Sequence, residues 1–217
     1  MKKITPKNHR VMPWKNGQGS TTELLIEPSD GGLDDFDWRI SCATVQTDGD
    51  FSSFHGVDRS LLIMSGEGMS LQFNEREVLI VTPESQVVSF AGEDAVHADL
   101  LGGTVTDFNV MTRRSRWLHS LEKYTFDRMF DLRMRSDMLL IYHADGGAVQ
   151  CMVNGETLCL FRHELLCFES ADVDSGHIEL SHVESSHVES SHVELSRIVL
   201  KSEGQVTLYV VHLKQRT

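Results

Sequence analysis

The fold is decided near the start of the chain, where residues 12–23 read MPWKNGQGSTTE. Proline fixes one φ angle and glycine admits positive φ, so this mixture disfavours a regular helix or strand. We interpret it as a shaped loop that presents Trp14, Lys15 and Asn16, followed by the strand-like residues 24–26. The alternative is an ordinary turn in which Trp14 only fills the core.

Further motifs accompany this loop in order along the chain. They are FDWRISCA at 36–43, DGDFSSFHGVDR at 48–59, GEGM at 66–69 and DFNVMTRR at 107–114. Together these motifs resemble the HutD/Ves family over residues 12–114, and beyond residue 116 the resemblance is weak. Gln18 stands where the family usually shows a third glycine, and Asp50 and His55 stand where it usually shows prolines.

The resemblance implies an all-β fold, a cupin-type (RmlC-like) jelly-roll β-sandwich with two β halves in a bicupin arrangement. It also implies a link to histidine utilisation, although the family has no established reaction. The resemblance therefore restricts the possible folds more than the possible functions.

Composition excludes several classes of partner. The chain has 217 residues, of which 40% are hydrophobic, and a net charge of −12, so neither nucleic acid nor an anionic membrane is an expected partner. It holds no long apolar run, and no apolar segment follows the basic start as in a signal peptide, so we expect a cytoplasmic protein. The cysteines, at 42, 151, 159 and 167, lie in apolar runs and are expected to be buried free thiols.

Short apolar segments bounded by Gly, Asp, Asn and Ser predict an all-β domain. We expect an N-terminal cupin-like half at 1–115, a connector with one short helix at 116–137, and a smaller C-terminal half at 138–217, all in one compact unit. Gly66–Gly68 and Asn154–Gly155 are hairpin signals. The second half has few polar clusters, so it is expected to act as scaffold or oligomer contact.

Strand 38–45 alternates strictly between two faces. Arg39, Ser41 and Ala43 share one face, which would line a pocket if it points inward and would be merely solvated if it points outward. We favour the pocket, because the family resemblance covers this strand. Trp14, Lys15 and Asn16 are expected to close one side of it, above a floor that carries Asn109 and Met111.

A set of cations stands inside the family motifs of this acidic chain, and arginine suits the planar carboxylate group. The alternative for Arg113 and Arg114 is surface pairing with acidic residues. The candidate ligand-binding residues are Trp14, Lys15, Asn16, Gly17, Thr21, Glu23, Arg39, Ser41, Phe54, Arg59, His97, Asn109, Met111 and Arg113.

Metal chemistry has little support in the sequence. The chain has no His-x-His pair, and His97 with Asp99 lacks a clear third ligand, so we expect neither a metal nor another cofactor. Two functions stay open. One is a small-carboxylate-binding protein, a candidate homodimer, with a regulatory or accessory role in histidine utilisation. The other is a metal-independent cupin enzyme with His97 or Glu23 as general base; no catalytic residue is assigned.

Residues 177–196, HIELSHVESSHVESSHVELS, form a repeat with a period of five. In a strand this period sends successive valines to opposite faces, and in a helix it rotates them by about 140°, so neither geometry gathers an apolar stripe. We interpret the repeat as a surface insertion whose histidines bind transition metals only adventitiously.

Deleting His182 to Ser191 should therefore barely change the melting temperature, because shortening an inserted loop changes the free energy of loop closure by only about 0.6 kcal/mol per halving. Differential scanning calorimetry of the deletion variant checks this. A fall of more than ~5 °C would show that the repeat packs against the fold.

Overall fold

A computed structural model describes residues 1–74, 77–170 and 197–217. The chain there is almost entirely antiparallel strands, with one short 3-10 turn at Pro6–Asn8. The strands are β1 Lys2–Ile4, β2 Arg10–Pro13, β3 Gly19–Glu27, β4 Trp38–Val45, β5 Gly49–Asp50, β6 Val57–Ser65, β7 Met69–Phe73, β8 Glu77–Val81, β9 Val88–Ala91, β10 Val96–Leu100, β11 Val105–Arg113, β12 Trp117–Phe126, β13 Met129–Arg133, β14 Met138–Gly146, β15 Val149–Val153, β16 Glu156–Leu160, β17 Leu165–Glu169, β18 Arg197–Ser202 and β19 Val206–Gln215.

The strands form two sandwiches. In the N-terminal sandwich, a six-stranded sheet in the order β2-β3-β4-β11-β6-β9 faces a four-stranded sheet in the order β5-β10-β7-β8. Their shared core includes Leu61, Ile63, Met69 and Leu71. In the C-terminal sandwich, the sheets run β1-β17-β14-β19-β12 and β13-β18-β15-β16. The all-β sandwich prediction is confirmed, and the pair of sandwiches is compatible with a bicupin.

The two sandwiches pack against each other through the large sheet of each. Trp38 and Ile40 of β4 and Phe108 of β11 lie in one apolar cluster with Tyr142 and Tyr209 of the second half. The Phe108 ring centroid lies 5.2 Å from that of Tyr142 and 5.1 Å from that of Tyr209. Because side chains alternate along a strand, the residues between these face the interior of the N-terminal sandwich instead.

The segment 116–137, expected to be a connector with a short helix, contributes strands β12 and β13 instead. Along β12, Leu121 joins the cluster between the halves, whereas Tyr124 and Phe126 pack on the core of the C-terminal sandwich. Apolar residues therefore occur on both faces of the strand, which hides the alternation that a one-sided strand would show.

One of the two hairpin predictions is confirmed, whereas the other hairpin and the burial of one cysteine are corrected. Asn154–Gly155 forms the expected hairpin between β15 and β16, with positive φ at both residues. Gly66–Gly68 does not close a hairpin, because β6 and β7 belong to different sheets. Of the four free cysteines, Cys159 is exposed rather than buried. It lies on β16, at the edge of its sheet.

The repeat at 177–196 lies outside the described residues. In the described ranges, no helix has the length and apolar character needed to cross a membrane.

Candidate functional site

A cavity of about 780 Å³ opens into the N-terminal sandwich. This is within the usual size range of small-molecule sites. It is lined by Met12, Pro13, Trp14, Lys15, Asn16, Gln18, Thr21, Leu33, Arg39, Ser41, Ala43, Val45, Thr47, Asp48, Gly49, Asp50, Phe51, Ser52, Phe54, Arg59, Asp107, Asn109 and Met111. The inward-facing row of β4 thus lines a pocket, as the sequence predicts.

The floor of the cavity is set by strand register. Met111 of β11 lies opposite Arg39 of β4 on one side and opposite Arg59 of β6 on the other. Asn109 lies opposite Ser41 in the next inward-facing row. Register therefore places two arginines on either side of one methionine, with amide and hydroxyl groups beside them.

Arg59 is a buried cation held mostly by aromatic faces. Its guanidinium carbon lies 5.0 Å from the ring centroid of Phe90, 5.1 Å from that of Phe51 and 5.8 Å from that of Phe54. Its Nη1 donates to the Ser52 carbonyl oxygen at 3.3 Å, while its Nε has no hydrogen-bond partner among the described residues. Burial lowers the pKa of Arg59 to about 10, so it stays charged at neutral pH.

Asp107 is the acidic counterpart of this cation, and it is only 1% exposed. Burial raises the pKa of Asp107 to about 7, against the opposing effects of the Arg59 charge and of hydrogen bonds from the Ala43 backbone and the Asn109 side chain. Asp107 Oδ1 and Asn109 Oδ1 find no hydrogen-bond partner in the described structure. The carboxyl is therefore divided between its neutral and charged forms near neutral pH.

The opening loop borders the cavity. Trp14 Nε1 donates to Thr21 Oγ1 at 2.9 Å, and the Trp14 amide donates to the Gly19 carbonyl at 2.9 Å. Trp14 also packs against the core of the N-terminal sandwich, so both interpretations of this residue describe part of its environment. Lys15 and Asn16 are exposed, and Lys15 forms no ion pair within the described ranges.

The structure brings together ten of the predicted residues: Trp14, Lys15, Asn16, Thr21, Arg39, Ser41, Phe54, Arg59, Asn109 and Met111. The other four predicted residues, Gly17, Glu23, His97 and Arg113, lie outside the lining, each for a physical reason.

Glu23 and Gly17 serve the cavity indirectly. Glu23 Oε2 accepts from Arg39 Nε at 2.7 Å, and both side chains are buried, so Glu23 neutralises and orients Arg39. Gly17 has φ of +71° and lets the opening loop turn back, with its amide donating to the Trp14 carbonyl at 3.0 Å.

His97 and Arg113 are engaged elsewhere. His97 Nδ1 lies 2.6 Å from Asp50 Oδ1, and this contact raises the pKa of the half-exposed imidazole. Arg113 donates to the carbonyl oxygens of His55 and Asp34, each at 2.9 Å, so it ties two loops together. Its neighbour Arg114 does pair with acidic residues, as the alternative predicted.

Sequence reasoning missed several lining residues, above all Gln18, Leu33, Asp48, Asp50, Phe51 and Asp107. Asp107 had a signal, because it is in phase with Asn109 and Met111 on one strand. The loop residues had no such sequence signal, because loops have no periodicity that indicates which side chains face the cavity. In the described ranges, no group of three or more His, Cys, Asp or Glu side chains could hold a metal.

Comparison with known proteins identifies relatives over most of the chain. Residues 6–188 match the model of the HutD family. An uncharacterised 21.2 kDa protein from the hutC 3′ region of Pseudomonas putida is 32% identical over 74% of this chain and 83% of its own length. Protein Ves of Citrobacter koseri is 36% identical, and the match spans 49% of this chain and 56% of Ves.

Solved structures agree with these matches. A conserved protein of unknown function from Pseudomonas aeruginosa PAO1 superposes with a TM-score of 0.81 and 27% identity, over 98% of both chains. HutD from Pseudomonas fluorescens SBW25 superposes with a TM-score of 0.74 and 26% identity, over 100% of this chain and 99% of that one.

A cupin 2 conserved barrel domain protein from Leptotrichia buccalis has a TM-score of 0.53 and 9% identity over 89% of this chain and 88% of its own. At this identity the likeness concerns the fold alone, and it confirms the cupin-type prediction.

Replacing Gly19 with alanine should destabilise the protein and displace Trp14. A Cβ at this position would lie 2.3 Å from the Thr44 carbonyl oxygen and 3.0 Å from the Trp14 ring. Overpacking of this kind costs about 1–3 kcal/mol. Urea unfolding measures the loss. The matched control is Gly103→Ala, where a Cβ meets nothing within 4 Å. Equal stability of the two variants would contradict the close approach of Gly19 to β4 and to the Trp14 ring.

Proposed function

The chain belongs to the HutD family, and from that membership and the geometry of the N-terminal cavity we propose that it binds a small carboxylate there. The proposed role is that of a regulatory or accessory factor in histidine utilisation. Two names support this context: the hutC 3′ region of the Pseudomonas putida relative, and HutD for the Pseudomonas fluorescens structure.

The observation that carries the proposal is the incomplete pairing of Arg59. Arg39 is paired with the Glu23 carboxylate. Arg59 contacts a backbone carbonyl and three aromatic rings, and its Nε has no hydrogen-bond partner in the described part of the chain. A guanidinium with spare donors in a partly desolvated cavity is suited to a carboxylate, which can accept two parallel hydrogen bonds. Lys15 at the rim adds a positive charge that attracts an anion.

The rest of the lining orients such a ligand. Among the described residues, no group donates to Asn109 Oδ1, and neutral Asp107 has a proton to donate. The floor can therefore recognise both a donor and an acceptor beside the carboxylate. Trp14 and Phe54 supply apolar surface for a planar or aliphatic group. An anionic ligand is repelled by charged Asp107, so binding should weaken as pH rises through about 7.

A second candidate function is a metal-independent enzyme, and one observation favours it. The predicted bases do not face the cavity, because Glu23 is paired with Arg39 and His97 lies outside the lining. Asp107 does face it, with a pKa raised to about 7, which suits a general acid or base. Turnover of urocanate or formylglutamate that is lost in Asp107→Asn would support this enzyme. Saturable binding without turnover supports the binding protein.

The binding experiment compares Arg59→Gln, Lys15→Ala and Lys201→Ala. Isothermal titration calorimetry with urocanate and with formylglutamate identifies a ligand. Arg59→Gln should then weaken its binding by about 1.5–3 kcal/mol, the range of a charged hydrogen bond. Lys15→Ala should cost less, about 0.2–1 kcal/mol, because Lys15 is exposed.

Lys201→Ala is the control, because Lys201 is an exposed lysine on β18 of the other sandwich. If Arg59→Gln and Lys201→Ala bind the ligand with the same affinity, the assignment of the ligand to this cavity is refuted.

A further inference from the structure

The C-terminal sandwich, expected from sequence to act as scaffold or oligomer contact, has a cavity of its own. Its volume is about 460 Å³, and it lies where β12 and β13 form the free edges of the two C-terminal sheets. It is lined by Leu118, His119, Ser120, Glu122, Tyr124, Phe130, Asp131, Leu132, Arg133, Arg135, Ser136, His212 and Lys214. None of these residues belongs to the lining of the N-terminal cavity.

Strand register lines up its polar groups. Lys214 of β19 lies opposite Leu118 of β12, His212 opposite Ser120, and Glu122 opposite Val210. Because every second residue shares a face, Lys214, His212 and Glu122 project on one side of the sheet in successive rows. The cavity thus has a cationic group at one end of this series and a carboxylate at the other.

Its cations are unpaired within the described part of the chain. Arg133, Arg135 and Lys214 form no ion pair with any described residue, although the protein carries a net charge of −12. Asp131, the nearby acid, is already engaged by Arg197, with a shortest contact of 2.9 Å. The cavity therefore has positive charge available for an incoming anion.

Hydrogen-bond acceptors lie on the same wall. Ser136 Oγ donates to the Met138 carbonyl at 2.7 Å, so it accepts from His212 Nδ1 at 3.1 Å. This bond fixes the proton on Nδ1 and leaves His212 Nε2 as a bare acceptor. Burial lowers the pKa of His212, which keeps the ring neutral at pH 7.

Glu122 is the second acceptor. One of its oxygens accepts the Tyr124 hydroxyl, and the other remains available. Tyr124 and Phe130, with ring centroids 4.6 Å apart, supply an apolar surface for a carbon chain.

We propose that this second cavity binds a small organic acid that also carries a hydroxyl or amino group. Its carboxylate pairs with Arg135 and Lys214. A hydroxyl on the ligand donates to Glu122 or to His212 Nε2, and an amino group can donate to both. The site is independent of the carboxylate site in the N-terminal sandwich.

The test uses malate as a hydroxy acid, succinate as the same dicarboxylate without the hydroxyl, and succinamide as the uncharged analogue. All are titrated into the full chain carrying Arg59→Gln, which disables the first cavity, by isothermal titration calorimetry and by NMR of the His212 ring. Malate should bind at one site and shift the His212 resonances. Succinate should bind about three- to tenfold more weakly, since it lacks one hydrogen bond. Succinamide should not bind.

The variant pair Arg135→Gln with Lys214→Gln should weaken malate binding at least tenfold, whereas Lys201→Gln should leave it unchanged. Arg135, Lys214 and Lys201 are exposed, so the double variant and the Lys201→Gln control should have the melting temperature of the parent chain. Malate affinity equal in the two variants, absence of malate binding, or equal binding of succinamide would each overturn the proposal. The first cavity is tested separately in a chain that keeps Arg59. There, Arg135→Gln together with Lys214→Gln should leave the binding of urocanate or formylglutamate unchanged.

Discussion

The interior of the N-terminal sandwich contains two buried guanidinium groups, Arg39 and Arg59, and two buried carboxyl groups, Glu23 and Asp107, and the character of the site follows from that constraint. Burying a charge is costly unless it is paired and hydrogen-bonded. Arg39 is paired with Glu23. Arg59 and Asp107 are not fully satisfied, since each keeps a buried atom without a hydrogen-bond partner in the described structure. Aromatic rings surround the Arg59 guanidinium, and burial raises the pKa of Asp107 so that part of the carboxyl population is neutral near pH 7.

The second sandwich packs against the strands that carry this arrangement. The same strands that carry the cavity floor bury Trp38, Ile40 and Phe108 on their other face, against Tyr142 and Tyr209. A shift of β4 or β11 would therefore disturb the contact between the halves. Sites built on packed strands hold their side chains more firmly than sites built on loops. The C-terminal half thus supports the site without touching it.

Much of this was accessible from sequence because it depends on a period of two. The alternation in 38–45 correctly separated Arg39, Ser41 and Ala43, which line the cavity, from Trp38 and Ile40, which face the second sandwich. Loops and doubly covered strands were not accessible. No pattern shows that Asp48 and Phe51 fold over the cavity, that Arg113 binds loop carbonyls, or that β12 is apolar on both faces in turn. The polar lining of the second cavity is spread over β12, β13 and β19, so no single motif contains it.

Asp107 is a buried carboxyl near Arg59 that lacks a full set of hydrogen bonds in the described structure, and its protonation state would determine how well the proposed anion binds. Carbon-13 NMR of the Asp107 carboxyl, assigned with Asp107→Asn, measures this most directly. We expect a titration midpoint near the raised pKa of about 7. We also expect the midpoint to rise further when a carboxylate ligand occupies the cavity, because a neighbouring negative charge favours the protonated form. A midpoint at the ordinary value of 3.8, unchanged by ligand, would contradict both expectations.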